Sequence, residues 1–319
     1  MKIHYLGTAA AEGWPALFCD CENCRRARIA KGKNYRSRAQ VLIDDKILMD
    51  FGPDTFYHMM KYDLDLTKVQ HVLLTHSHTD HFYATELILR ALPYAYNRDQ
   101  NKMTVYGNEK CNWMFLHTLE VEDDSKNIRD CVGFEQIHAF KTLQLDGYEI
   151  QVLRAFHDPK EECLIYLIRD SEGKTLLYAN DTGYFPENTW EALRGTAIDC
   201  VSLDCTLGKD KTLESGHMGL HANRKVIERL KEYGCIHEKT RIVLTHFSHN
   251  GGWLHEELEA ETKVEGLTIA YDGMVLEITN EESIGWKEGN GFIFALLGGL
   301  FFFVSGKTEL FVSNVIDYG

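Results

Sequence analysis

The sequence predicts an α/β protein of mixed β-sheets covered by helices, and three features of the chain lead there. Short apolar runs of strand character recur along most of its length. Helical patterns fall between them singly rather than in strict alternation, which favours mixed sheets over one regularly wound parallel sheet. No solenoid-length repeat, low-complexity tract or Pro/Ser/Gly-rich linker occurs before residue 279, so one main domain is expected over 1–279, followed by a tail of different character over 280–319.

Strands are expected at about 2–6, 39–43, 47–50, 71–75, 103–106, 150–156, 163–168, 175–178, 199–204, 242–245, 267–270 and 274–277. The clearest helix runs from Leu220 to Tyr233, where Val226, Ile227 and Leu230 form an apolar stripe and Gly234 is a stop signal. Further helices are expected over 22–31, 54–62, 81–91, 108–117, 187–194 and 254–261. In the tail, FIFALLGGLFFFV (292–304) is too short for the roughly 20 residues of a membrane span. Its central Gly298-Gly299 instead predicts a β-hairpin of 292–297 and 300–304, with a third strand at 309–315. An apolar hairpin needs cover, from the main domain or from a second subunit, so a homodimer through it is one expected arrangement.

A chain of 319 residues, 44% hydrophobic and 26% charged, can bury a large core. Its net charge of -14 disfavours nucleic acid as a partner, since no basic stripe is present to release counterions. Bound divalent metals would offset that charge locally, leaving a small anionic substrate possible. The start, MKIHYLGTAAAEG, lacks the basic and apolar regions of a secretory signal, so a cytoplasmic setting is expected.

Chemistry concentrates where the strand-like HVLLT runs into His76-Ser77-His78-Thr79-Asp80-His81 and then a helical pattern. Two histidines two apart in extended chain point the same way and can share one ion. Asp80 and His81, at the expected helix start, can turn toward a neighbouring ion, and imidazole plus carboxylate suits zinc, manganese or iron. Helix capping by Thr79 or Asp80 alone does not account for three histidines at this spacing. A second concentration, Cys19-Asp20-Cys21-Glu22-Asn23-Cys24, places three thiols too close together for unstrained disulfides. Metal binding is the better use, with His249, three residues beyond His246, as the fourth ligand of a tetrahedral structural zinc.

HSHTDH resembles the His-x-His-x-Asp-His signature of the metallo-β-lactamase superfamily. The resemblance extends to His157 in QVLRAFHDP, Asp181 in TLLYANDTG and His246 in RIVLTHFSH, each after an apolar run. It implies an αββα sandwich with His76, His78 and His157 on one divalent metal, zinc or manganese. Asp80, His81 and His246 are then on a second, and Asp181 bridges them. Asp50 in ILMDFG and Asp272 in IAYDGM match acidic positions of this fold and are expected to orient ligand imidazoles.

LGTAAAEGWPALFCDCENC, HSHTDH, NDTG, SGHMGLHA and LTHFSHN together look like the branch holding the cyclic phosphodiesterase of the bacterial carbon-phosphorus lyase pathway. That likeness implies hydrolysis of a small cyclic phosphodiester by a dimetal-bridging hydroxide. His217 in SGHMGLHA would be the general acid, and Asp80 would join it as a catalytic residue. His58, His117, His138 and His237 are expected to be structural or solvated, while Trp14, Phe18 and Trp253 could wall a pocket. The stretch 117–138 reads as a lid or a spacer. Two other family members set the alternatives: ribonuclease Z, which shares the seven ligands, and the pyrroloquinoline-quinone biosynthesis protein. The latter shares the cysteine clip but has a degraded metal site, so it would serve as a non-catalytic carrier.

Overall fold

The computed structural model describes residues 1–96, 102–122, 127–212 and 216–279, with the backbone of four short strands between 287 and 311. It divides the chain into two units, Met1–Ile278 and Thr279–Gly319. In the first unit, β1 (Lys2–Gly7), β2 (Gln40–Ile43), β3 (Ile47–Met49), β4 (His71–Leu73), β5 (Met103–Gly107) and β6 (Val132–Gln136) lie in one sheet. A second sheet contains β7 (Thr142–Leu145), β8 (Tyr148–Arg154), β9 (Leu164–Arg169), β10 (Thr175–Ala179), β11 (Cys200–Asp204), β12 (Arg241–Thr245) and β13 (Thr268–Ile269). The last strand of this unit, β14 (Met274–Glu277), returns to the first sheet beside β1. Each sheet has seven strands, ordered β14-β1-β2-β3-β4-β5-β6 and β13-β12-β11-β10-β9-β8-β7. Both are mixed: β3 to β6 run parallel, as do β10 to β13, and the remaining pairs are antiparallel.

The period-two pattern of the strands builds the layers. Val41 and Ile43 face the core between the sheets while Leu42 faces the outer one. Likewise Leu164, Tyr166 and Ile168 point between the sheets, and Ile165 and Leu167 point out toward helices. Val226 and Leu230 of the helix Leu220–Glu232 and Trp190 of the helix Glu187–Leu193 close that outer core. Phe115 and Leu119 of the helix Glu109–Glu122 close the opposite one. The result is the expected αββα sandwich with three apolar cores.

Differences from expectation have local causes. The helix expected over 81–91 is a turn followed by a 3-10 helix, Ala84–Arg90. Phe51 and Phe82 form a bridge, the Phe51 N–H donating to His81 O and Tyr83 N–H to Phe51 O, both at 2.7 Å. Those bonds hold the chain out of an α-helical path. β6 and β7 were not expected because they are edge strands with exposed residues in place of an apolar run. Among the described residues, the 117–138 stretch supplies a helix end, a short helix Ile128–Cys131 and β6. In the second unit Phe292–Leu297 and Leu300–Val304 pair antiparallel as expected, flanked by Lys287–Gly289 and by Leu310–Phe311, a shorter strand than expected. The Gly298-Gly299 turn lies outside the described residues. Among those residues, no helix is long and apolar enough to cross a membrane.

The fold positions a site at one edge. The chain leaves β3 into Asp50, β4 into His76, β8 into His157, β10 into Asp181 and β12 into His246, and β11 ends on Asp204. Gly52 lets two of these exits touch, because a Cβ there would lie 2.0 Å from the Asp80 carbonyl oxygen. Gly52→Ala is therefore expected to cost about 1–3 kcal/mol through forced displacement. Urea unfolding reads this, and an unchanged midpoint would mean that the turn gives way freely. His58, buried between Gln40 Oε1 and Ser37 Oγ at 2.7 Å each, has its pKa pushed down by burial to about 4 from 6.5. The unfolded chain therefore binds this proton first, and stability should fall as pH drops from about 6.5 to about 4. His58→Gln should flatten that slope in pH-dependent urea melts.

Candidate metal centre

Three of the strand exits turn through left-handed backbone: Asp50 at φ 63°, Asp181 at 52° and His246 at 60°. Such conformations are rarely adopted by non-glycine residues and persist where the surroundings over-determine them. Here each turn points a polar side chain back over the sheet edge.

His76, His78, His157 and Asp181 bring donor atoms within 4.8 Å of one another, and so do Asp80, His81, Asp181 and His246. All seven residues expected from the sequence therefore meet, with Asp181 in both groups. Asp181 Oδ2 lies 3.3 Å from His76 Nε2, 3.0 Å from His81 Nε2 and 3.6 Å from His246 Nε2. Nitrogen faces nitrogen at 3.3 Å twice, His78 Nδ1 with His157 Nε2 and His81 Nε2 with His246 Nε2. Ligands about 2.0–2.1 Å from a tetrahedral ion stand about 3.3 Å apart, so these spacings are those of coordination edges. His76 Nε2 is buried without a hydrogen-bond partner, a condition that an ion relieves. The donor set fits divalent metal.

Each imidazole presents one nitrogen inward because its other nitrogen is occupied. His81 Nδ1 donates to Asp50 Oδ2 at 2.8 Å and His157 Nδ1 to the Gly216 carbonyl at 2.9 Å. His246 Nδ1 meets Thr206 Oγ1 at 2.7 Å, and His78 Nε2 lies 3.3 Å from Asp158 Oδ2. Asp50 thus orients a ligand as expected, but Asp272 does not. It accepts from Thr8 Oγ1 and from the Ser37 N–H and hydroxyl, because β13 delivers it to the loop after β1 instead of the histidines. Burial opposes charge throughout, yet Asp80 and Asp50 hold His81 well above its usual pKa. Its imidazole neighbours, His246 foremost, hold Asp181 well below the carboxylate range despite burial.

His217 stands beside this cluster, its Nδ1 2.9 Å from Asp181 Oδ1 and 3.1 Å from Asp204 Oδ2. Burial disfavours its charge, but the two carboxylates outweigh that and push its pKa up to about 11. Sequence reasoning missed Asp204, which also reaches His246 Nδ1 at 3.4 Å and accepts from the Met218 N–H. Asp204 ends an apolar run, as Asp50 does in ILMD, but LDCT carries no further mark that separates it from a turn residue. A cavity of about 310 Å³ contains His217, Asp181, His246 and Glu12. A neighbouring one of about 470 Å³ shares His78 and Asp80 and adds Arg38 and Lys110. Of the aromatics expected to wall a pocket, Trp14 is in the core, Phe18 is exposed, and Trp253 packs at the edge of the core with Lys209 over its ring. His58 is structural, whereas His138 and His237 lie at the surface and His117 stacks on Trp113.

Cys19, Cys21, Cys24 and His249 form a separate tetrad with donor atoms within 4.8 Å. His249 Nδ1 is 3.3 Å from Cys21 Sγ and 3.8 Å from Cys19 Sγ, near the roughly 3.6 Å edge of a tetrahedral zinc site. Although burial opposes it, the Cys24 N–H and His249 bring the Cys21 thiol down to about 6. The thiolate is the metal-binding form.

Fold and site together define a metal-dependent hydrolase scaffold. The model of the beta-lactamase superfamily domain matches residues 45–247, and the chain belongs to the metallo-β-lactamase superfamily. It is 24% identical over 314 residues to the coenzyme PQQ synthesis protein B of Acinetobacter baumannii, covering 87% of this chain and all of that one. Among solved structures it is similar to a diphosphatase of the PhnP family (TM-score 0.65, 23% identity, covering 87% of this chain and 98% of that one). It is also similar to zinc-bound PqqB from Methylobacterium extorquens (TM-score 0.69, 21% identity, covering 87% and 100%). Cys21→Ser should remove about one equivalent of tightly held zinc per chain, read by atomic emission after dialysis, without emptying the histidine cluster. Unchanged zinc would exclude the tetrad as a zinc site.

Proposed function

We propose that the chain hydrolyses a small, anionic, cyclic phosphodiester. In this reading His76, His78 and His157 hold one divalent ion, zinc or manganese. Asp80, His81 and His246 hold a second, Asp181 lies between them, and the cysteine tetrad holds a structural zinc. Such an ion pair, when bound, acidifies water to a nucleophile at neutral pH and stabilises charge on phosphate oxygens.

The chain's own groups do the rest. Asp50, Thr206, Asp158 and the Gly216 carbonyl fix which nitrogen each histidine turns inward. Arg38 and Lys110 line the neighbouring cavity, Arg38 paired with Asp54 at 2.9 Å and Lys110 with Glu161 at 3.2 Å, and offer N–H donors to an anion there. His217 carries the proton that the departing alkoxide needs, and Asp204, facing Nδ1 at 3.1 Å, holds the imidazole charged and oriented. With Nδ1 committed to the carboxylates, transfer to the leaving oxygen falls to Nε2. The placement of His217 against both Asp181 and Asp204 is the observation that carries this reading, since a pure binding site has no use for a held acid. The net charge of -14 weighs against tRNA as the substrate.

A screen of cyclic phosphates, linear diesters, thioesters and lactams tests the substrate class, and turnover of a cyclic phosphate is expected. Retention of an unchanged ligand by metal-loaded protein would favour a carrier. His217→Ala is expected to lower turnover of an alkyl-leaving diester about 10²- to 10⁴-fold and that of a nitrophenyl diester far less. Equal loss on both would contradict the acid role.

A further inference from the structure

The two cavities that meet at His78 and Asp80 differ in the polar groups that line them. Arg38 and Lys110, paired with Asp54 and Glu161, line the larger one. The smaller one, which contains His217, has the carboxylate of Glu12 with Ser248 and Asn250. Glu12 belongs to neither histidine group nor to the cysteine tetrad. An acidic side chain in the cavity that His217 also lines opposes binding of an anion at that end, and so bears on which substrates the cavity takes.

Its position is fixed by the fold. The Ala10 N–H donates to Phe247 O and Gly13 N–H to Ala10 O, both at 2.9 Å, which ties the turn carrying Glu12 to the segment after His246. The Ser248 hydroxyl donates to Glu12 Oε1, and His249 Nε2 lies 3.6 Å away. The carboxylate is partly exposed at the cavity wall rather than buried in a closed network. A carboxylate accepts hydrogen bonds only, and repels a second anion through a medium drier than bulk water.

We propose that Glu12 is a specificity-determining residue. It accepts a hydrogen bond from a hydroxyl on the leaving-group side of the substrate and excludes leaving groups that carry a second negative charge. The substrate is thereby oriented, its neutral hydroxylated part toward Glu12 and any further anionic part away from it. This inference rests on the phosphodiesterase reading.

The test uses methyl phosphodiesters of ethylene glycol, propanol and 3-hydroxypropanoate, scoring release of the named alcohol by wild type and Glu12→Gln. The variant should raise KM for the glycol ester about tenfold, the loss of one charge-assisted hydrogen bond. KM for the propyl ester should stay within about twofold, KM for the carboxylate ester should fall, and metal content should be unchanged. An equal change on all three esters, or loss of zinc from the variant, would overturn the role of Glu12 while leaving the phosphodiesterase reading standing. No release of any alcohol by the wild type would overturn the role of Glu12, and no turnover in the cyclic phosphate screen as well would overturn both.

Discussion

The Asp181 carboxylate, almost wholly buried and ringed by the imidazoles of His76, His81, His157, His217 and His246, is the interaction on which the site depends. Burying a charge is costly unless it is paired, and here every partner is a group that itself resists charging when buried. The histidine nitrogens cannot all be protonated at once, since several face one another at 3.3 Å. Divalent cations held between them would resolve both problems, by taking the lone pairs and by compensating the carboxylate. Such a ring of donors calls for positive charge at its centre.

That requirement explains features that would otherwise be liabilities. Left-handed backbone at Asp50, Asp181 and His246 keeps three side chains aimed at one volume. Asp50 is buried against the Thr75 N–H and hydroxyl as well as His81, so the first sheet grips the ligand turn through one carboxylate. Asp204 does the same for the second sheet, linking Thr206, His217 and His246. Glu161 anchors the turn from outside through the Ser77 N–H and hydroxyl. The cysteine tetrad then fastens the N-terminal loop to the segment following His246.

The sequence made the ligands legible because metal chemistry demands particular residue types, and because strand exits mark themselves as an apolar run ending on His or Asp. HSHTDH could be read alone; His157, Asp181 and His246 needed order along the chain and a family likeness. Central strands were legible for the same reason that they are central, being apolar on both faces. The edge strands β6 and β7 were not, since half of each faces solvent. The 3-10 helix after His81 was hidden by a pairing with Phe51, thirty residues earlier, that no local pattern reveals. Asp272 shows the converse error: a matching motif placed it near the site, but the short β13 directs it to Ser37 and Thr8. Asp204 escaped notice because nothing in LDCT distinguishes a site carboxylate from a turn residue until β11 is known to end beside β10.

The central claim is that one buried carboxylate lies between two cations. Anomalous diffraction from crystals grown with zinc or manganese tests it directly. The account predicts two peaks about 3.5–4 Å apart, one on each side of Asp181, with His76, His78 and His157 around one and Asp80, His81 and His246 around the other. A single peak away from Asp181, or density for neither ion at saturating metal, would contradict it.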